Sequence, residues 1–179
     1  MNALFAFARA VDWLTDRFGS FAKWAVFLSC FISAGNAVVR YALDISSNAM
    51  LEVQWYMFAA CVMLGAAQVL RLNEHVRVDV LYGRYNGKTQ VLIDLFGLLF
   101  FLLPVMLLMV YLSTPLFIKW YESGEMSSQA GGLIRWPAML TLPLGFALMT
   151  LQGVAEVIKR IGWLMHKYDL DIHYERPLQ

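Results

Sequence analysis

Four long runs without a formal charge organise the chain: residues 24–39, 53–70, 95–118 and 136–155. At about 1.5 Å per residue, their lengths approach or exceed the roughly 20 residues that carry a helix across a 30 Å hydrocarbon core. Polar, turn-prone segments separate them, so the pattern predicts four antiparallel transmembrane helices. Allowing Lys23 and Arg40 to snorkel from the short first run, the crossings fall at about 21–43, 52–70, 89–118 and 136–158. The third run exceeds the need, which implies tilt or a kink, with Pro104 and Pro115 as the kink sites.

The flanks are different in character. In residues 1–20, Leu4, Phe7, Val11, Leu14 and Phe18 recur at helical spacing, and Arg9, Asp12, Asp16 and Arg17 take other faces. This predicts an amphipathic helix lying at the interface ahead of the first crossing. The rival reading is a signal peptide whose apolar region ends at Ser33, Ala34 and Gly35. It is disfavoured by two preceding Asp residues and by apolar character that continues past the cleavage point. Segment 71–88 packs Arg71, Glu74, His75, Arg77, Asp79, Arg84 and Lys88 among valines and tyrosines, as a chain lying on the membrane surface would. It closes in an Asn86–Gly87 turn signal. The link 44–51, the loop 119–135 and the polar tail 159–179 complete the single membrane domain, residues 1–179.

Charge then sets the sidedness. Lys and Arg number three before the first crossing, four in segment 71–88 and four in the tail, against one in the first link and two in the loop 119–135. That asymmetry places both termini and segment 71–88 in the cytoplasm, with the link and loop outside.

Composition narrows the function. The chain is 60 % hydrophobic and 15 % charged with a net charge of +1, which fits a membrane domain and gives no nucleic-acid footprint. Cys30 and Cys61 sit in apolar runs without a CxxC spacing, so packing is favoured over redox or metal chemistry. His75, His166 and His173 all fall outside the crossings, where they cannot ligate haem between helices. The uncharged cores hold no ionisable group, and Arg40, Glu52, Asp94 and Glu156 mark their ends. A transporter working alone would carry such groups at depth, so a complete transport site is not expected here. With no catalytic constellation, a non-enzymatic role is expected, without a bound cofactor or metal.

The remaining candidates concern contact and anchoring. Ser29, Ser33 and Asn36 form one stripe on the first helix, and Cys61 and Gly65 make a small-xxx-small pair on the second, suited to helix packing or to docking on another membrane protein. Arg40 and Glu52 face each other across the first link as a possible ion pair. Trp24, Trp55, Trp120 and Trp136 sit at interfacial depth, and His75, Arg77 and Asp79 offer a cytoplasmic contact.

Several of these residues carry a family likeness. The runs Glu52-Val53-Gln54-Trp55, Leu64-Gly65-Ala66-Ala67 and His75-Val76-Arg77-Val78-Asp79, then SSQAGGLIRWP and the fourth helix, resemble the small permease subunit of tripartite ATP-independent periplasmic (TRAP) transporters, the DctQ-like family. The likeness spans about Arg17 to Ile161. Where many relatives carry a polar or acidic residue just before the position of Glu52, this chain has Leu51. The resemblance implies four crossings with cytoplasmic ends in a bacterial inner membrane. It also implies a scaffold role beside a large permease, which would hold the substrate and sodium sites, and a periplasmic protein that captures a small organic anion, typically a carboxylate. The rivals are a membrane anchor of a redox complex and a self-sufficient small transporter.

Overall fold

In the computed structural model, which describes residues 2–44, 47–75, 82 and 85–169, four helices form an antiparallel bundle. They are α1 (Asn2–Leu43), α2 (Asn48–Leu72), α3 (Gly87–Ser123) and α4 (Trp136–Leu164), each long and apolar enough to cross a membrane. A lone β-bridge joins Met126 and Ile134.

α1 is one unbroken helix of 42 residues, about 63 Å long, so the amphipathic first segment runs without a break into the first crossing. Its first half is held in line because its inner face is buried. Ala8 and Val11 pack with Ala155 and Ile158 of α4, and the buried positions continue through Thr15, Gly19, Ala22 and Ala25. Small side chains at this spacing let neighbouring helices approach closely. Asp12 and Asp16, expected on outward faces, turn inward with that stripe, as their partners below show.

α4 is the central element: it packs against α1, α2 and α3, and α3 rests on it along its length. Thr141, Gly145, Leu148, Gln152, Glu156 and Lys159 fall on its buried face at successive intervals of three or four residues. A Cβ at Gly145 would lie 2.7 Å from the Met63 carbonyl oxygen, so glycine is what allows α2 and α4 their separation. Gly65 of α2 opens a similar approach to Ala22 of α1.

α3 starts at Asn86, whose side chain caps the helix by accepting from the Thr89 N–H at 3.0 Å. The Asn–Gly pair therefore opens a helix instead of forming a free-standing turn. Residues Leu98–Leu102 form one π-helical turn, with Leu103 N–H bonded to the Leu98 carbonyl. The turn ends just before Pro104, which has no N–H to give and whose ring crowds the carbonyl four residues back. Pro115 is accommodated within the helix.

The outward faces are apolar. Phe31, Phe58, Phe100, Phe101 and Leu107 are each more than half exposed, which in water would be a large unpartnered surface and in lipid is ordinary solvation.

Candidate functional site

Two polar clusters sit at opposite ends of the bundle. The first is a layer of charge, buried on its α4 side and half-open at Asp16 and Arg71, to which every helix contributes. Asp12 and Asp16 come from α1, Arg71 from α2, Asp94 from α3, and Gln152, Glu156, Lys159 and Arg160 from α4. Lys159 Nζ donates to Asp12 Oδ1 at 3.0 Å and also pairs with Glu156. Arg160 donates through Nη1 to Glu156 and through Nη2 and Nε to Asp94 Oδ2 at 3.2 and 3.3 Å. Arg71 pairs with Asp16 and lies 3.6 Å from Asp12.

Neutral groups complete the layer. Gln152, with no exposed surface, accepts from Thr15 Oγ1 at 2.8 Å and donates to Asp12 at 2.9 Å and Glu156 at 3.0 Å. Glu156, Lys159 and Arg160 are 3–5 % exposed. Charges so dry persist only when paired and hydrogen-bonded. Arg71, Asp94 and Glu156 each stand at the edge of an uncharged run, so the layer closes one end of the apolar zone. Chemically it is a clamp, because each cation already faces two carboxylates.

The sequence marks Glu156, Lys159 and Arg160 as the exit of the last helix into a polar tail. The helix in fact continues to Leu164 and buries all three. A signal was present, since they extend the heptad-like stripe of Thr141, Gly145, Leu148 and Gln152, while Asp12 lies one turn below Thr15 on the buried stripe of α1.

The second cluster surrounds Glu52, 3 % exposed near the start of α2. Its Oε2 accepts from the Leu133 N–H at 2.7 Å, and its Oε1 accepts from the Ser127 hydroxyl. Asn48 Nδ2 donates to the Ala130 carbonyl at 2.9 Å and Tyr56 donates to the Ile134 carbonyl at 3.1 Å. Loop 124–135 is thereby stitched to α2 as a small hairpin, with Ser127 N–H bonded to the Leu133 carbonyl at 2.9 Å and Arg135 N–H to that of Glu125 at 3.0 Å. A Cβ at Gly132 would meet Ser127 and Glu52, so the carboxylate needs glycine opposite it. Arg135 pairs with Glu125 and stacks over the Trp120 ring, 5.4 Å from its centroid.

The expected pair of Arg40 with Glu52 is therefore replaced. Glu52 turns into the loop, whereas Arg40 is exposed on α1. Of the stripe on the first helix, Asn36 is buried, Ser33 is exposed, and Ser29 donates to the Gln54 carbonyl of α2 at 3.5 Å. Trp55 and Trp24 are both exposed, as residues facing lipid would be. Gly65 lies in the α1–α2 contact. His75 is exposed, and Arg77 and Asp79 lie outside the described residues.

The sequence matches a known family over most of the chain. The family described as "Tripartite ATP-independent periplasmic transporters, DctQ component" matches residues 29–162. The chain belongs to this family. Comparison with curated proteins and with solved structures returned no match. The matched DctQ region contains the whole Glu52 cluster and the α2, α3 and α4 members of the charged layer, and it stops at Gly162, just past Arg160. The α1 partners Asp12, Thr15 and Asp16 lie before it. This DctQ component is thus a multi-pass, four-helix transport subunit.

Proposed function

We propose that the chain is the fixed scaffold of a TRAP transporter in a bacterial inner membrane. It pairs with a large permease subunit and a periplasmic substrate-binding protein that together import a small organic anion, a carboxylate, driven by sodium. The observation that carries this reading is the location of the charge: the uncharged cores hold no Asp, Glu, Lys, Arg or His, and the buried groups beside them bind one another. A sodium site needs acidic ligands not already spent on a cation, and each carboxylate of the layer holds one; the sodium and substrate sites are assigned to the large subunit and no cofactor to this chain.

The Lys and Arg asymmetry supports cytoplasmic termini. On that orientation the charged layer borders the cytoplasm, and the exposed Leu4, Phe7 and Trp13 of α1 lie along the inner leaflet surface. The Glu52-latched hairpin then faces the periplasm, within reach of the binding protein. Contact with the large subunit is assigned to the apolar outer faces and to the stripe that includes Ser33.

Reconstitution tests the reading. Liposomes carrying the chain with its large permease, supplied with the binding protein and a sodium gradient, should accumulate a labelled dicarboxylate, 2-oxo acid or sialic acid. Liposomes carrying the chain alone should match empty ones. Flux by the chain alone would overturn the scaffold assignment.

A further inference from the structure

A groove of about 810 Å³ opens over α4 between the end of α2 and α3. Asp94 and Arg160 give it a polar end, and Tyr82, Tyr85 and Leu70 of α2 also line it. From there it runs along α3 past Leu98, Phe101 and Val105 to Met106. The axial distance from Asp94 to Met106 is about 18 Å, close to one leaflet of a hydrocarbon core roughly 30 Å thick. The groove therefore starts at the charged layer and ends near mid-bilayer.

Its polarity follows the same gradient. Arg160 engages Asp94 through Nε and Nη2 and Glu156 through Nη1. Nη1 also donates to the Glu156 backbone carbonyl at 3.4 Å, so of the five N–H donors of arginine one, on Nη2, remains for a further acceptor at the groove's polar end. Tyrosines with an apolar body and a polar tip suit the headgroup boundary. The apolar stretch has no such groups, and its wall carries the π-helical turn Leu98–Leu102, a feature frequent at functional sites.

We infer that this groove holds one glycerophospholipid of the leaflet bordering the charged layer, with its phosphate at Arg160 and the tyrosines and an acyl chain laid along α3 between Phe101 and Met106. A transmembrane helix of a partner would need a contact running through both leaflets, and the groove spans one. The inference rests on the chain crossing a bilayer and not on which partner it serves.

Native mass spectrometry of the full chain, purified with whatever partner it retains and titrated with palmitoyl-oleoyl phosphatidylglycerol, reads the site directly. One lipid adduct should survive the energy that strips detergent. Gly97→Phe places a ring in the groove from a position where a Cβ meets nothing within 4 Å, and it should lower adduct occupancy by about tenfold or more. Met106→Trp should do the same from the far end, so the reading stands on a second variant if the first fails to assemble. Leu112→Trp, on the exposed face beyond the groove, should keep the adduct. Unchanged occupancy in both groove variants would overturn the inference. So would efficient cross-linking of Gly97→Cys to a partner protein in native membranes, which would show that protein fills the groove.

Discussion

Lys159 Nζ lies 3.0 Å from Asp12 Oδ1, joining the last helix to the first across 147 positions of sequence. Glu156 takes the other side of the same ammonium. The two side chains of the Lys159–Asp12 pair are 7 % and 17 % exposed, so the contact acts in a poorly solvated interior. Bundle geometry at this end depends on charges that the surrounding apolar packing would not otherwise tolerate.

Removing one member should therefore cost more than removing both. Lys159→Met leaves Asp12 and Glu156 short of a cation and should destabilise the chain by about 3–5 kcal/mol. The double variant Asp12→Asn with Lys159→Met should lose much less than the summed single losses. Thermal melts of the four proteins in one detergent give the comparison. Additive losses would show that the pair is not coupled.

Close helix approach makes a second prediction. Gly145→Leu drives a side chain into the Met63 backbone and should destabilise by about 1–3 kcal/mol or more through overpacking. Gly97→Ala, facing open space within α3, should be neutral or gain up to about 1 kcal/mol. The same melts should separate the two variants, and equal behaviour would refute the assigned α2–α4 contact.

At the other end, Glu52→Ala removes the acceptor for both the Ser127 hydroxyl and the Leu133 N–H. The hairpin 124–135 should then open more often, and protease cleavage within it should accelerate severalfold while the helices stay protected. Cleavage at the wild-type rate would mean that the Asn48 and Tyr56 bonds hold the loop without the carboxylate.

Sidedness is open to direct labelling. In a background with Cys30 and Cys61 replaced, a membrane-impermeant maleimide should label Ser128→Cys in intact cells and leave His166→Cys unlabelled until the membrane is opened. The reverse pattern would invert the orientation.

The four crossings were legible because each depends on a property of its own segment, a long run without charge. What the sequence left hidden depends on the rotation of one helix against another. Glu156, Lys159 and Arg160 follow an apolar run, where charge ordinarily meets water, so they read as an exit signal. Only their register with Gln152 and Leu148 tells that they face inward. Proximity in sequence points Glu52 to Arg40, the nearest basic residue across the first link. Its acceptor geometry is instead filled by a backbone N–H 81 positions away, a partner with no side-chain signature. The apolar periodicity of the first twenty residues is divided between two surroundings, since Val11 packs with Ala8 and Ala155 whereas Leu4 and Phe7 stay exposed, and spacing alone does not distinguish the two.

The central claim, that this chain is a scaffold completed by a larger partner, is tested most directly by capturing the tagged chain from its native membranes in mild detergent and weighing what accompanies it. A larger multi-span permease should be present in roughly equal amount and stay with the chain through gel filtration. Recovery of the chain alone, or with haem or iron–sulfur subunits, would contradict it.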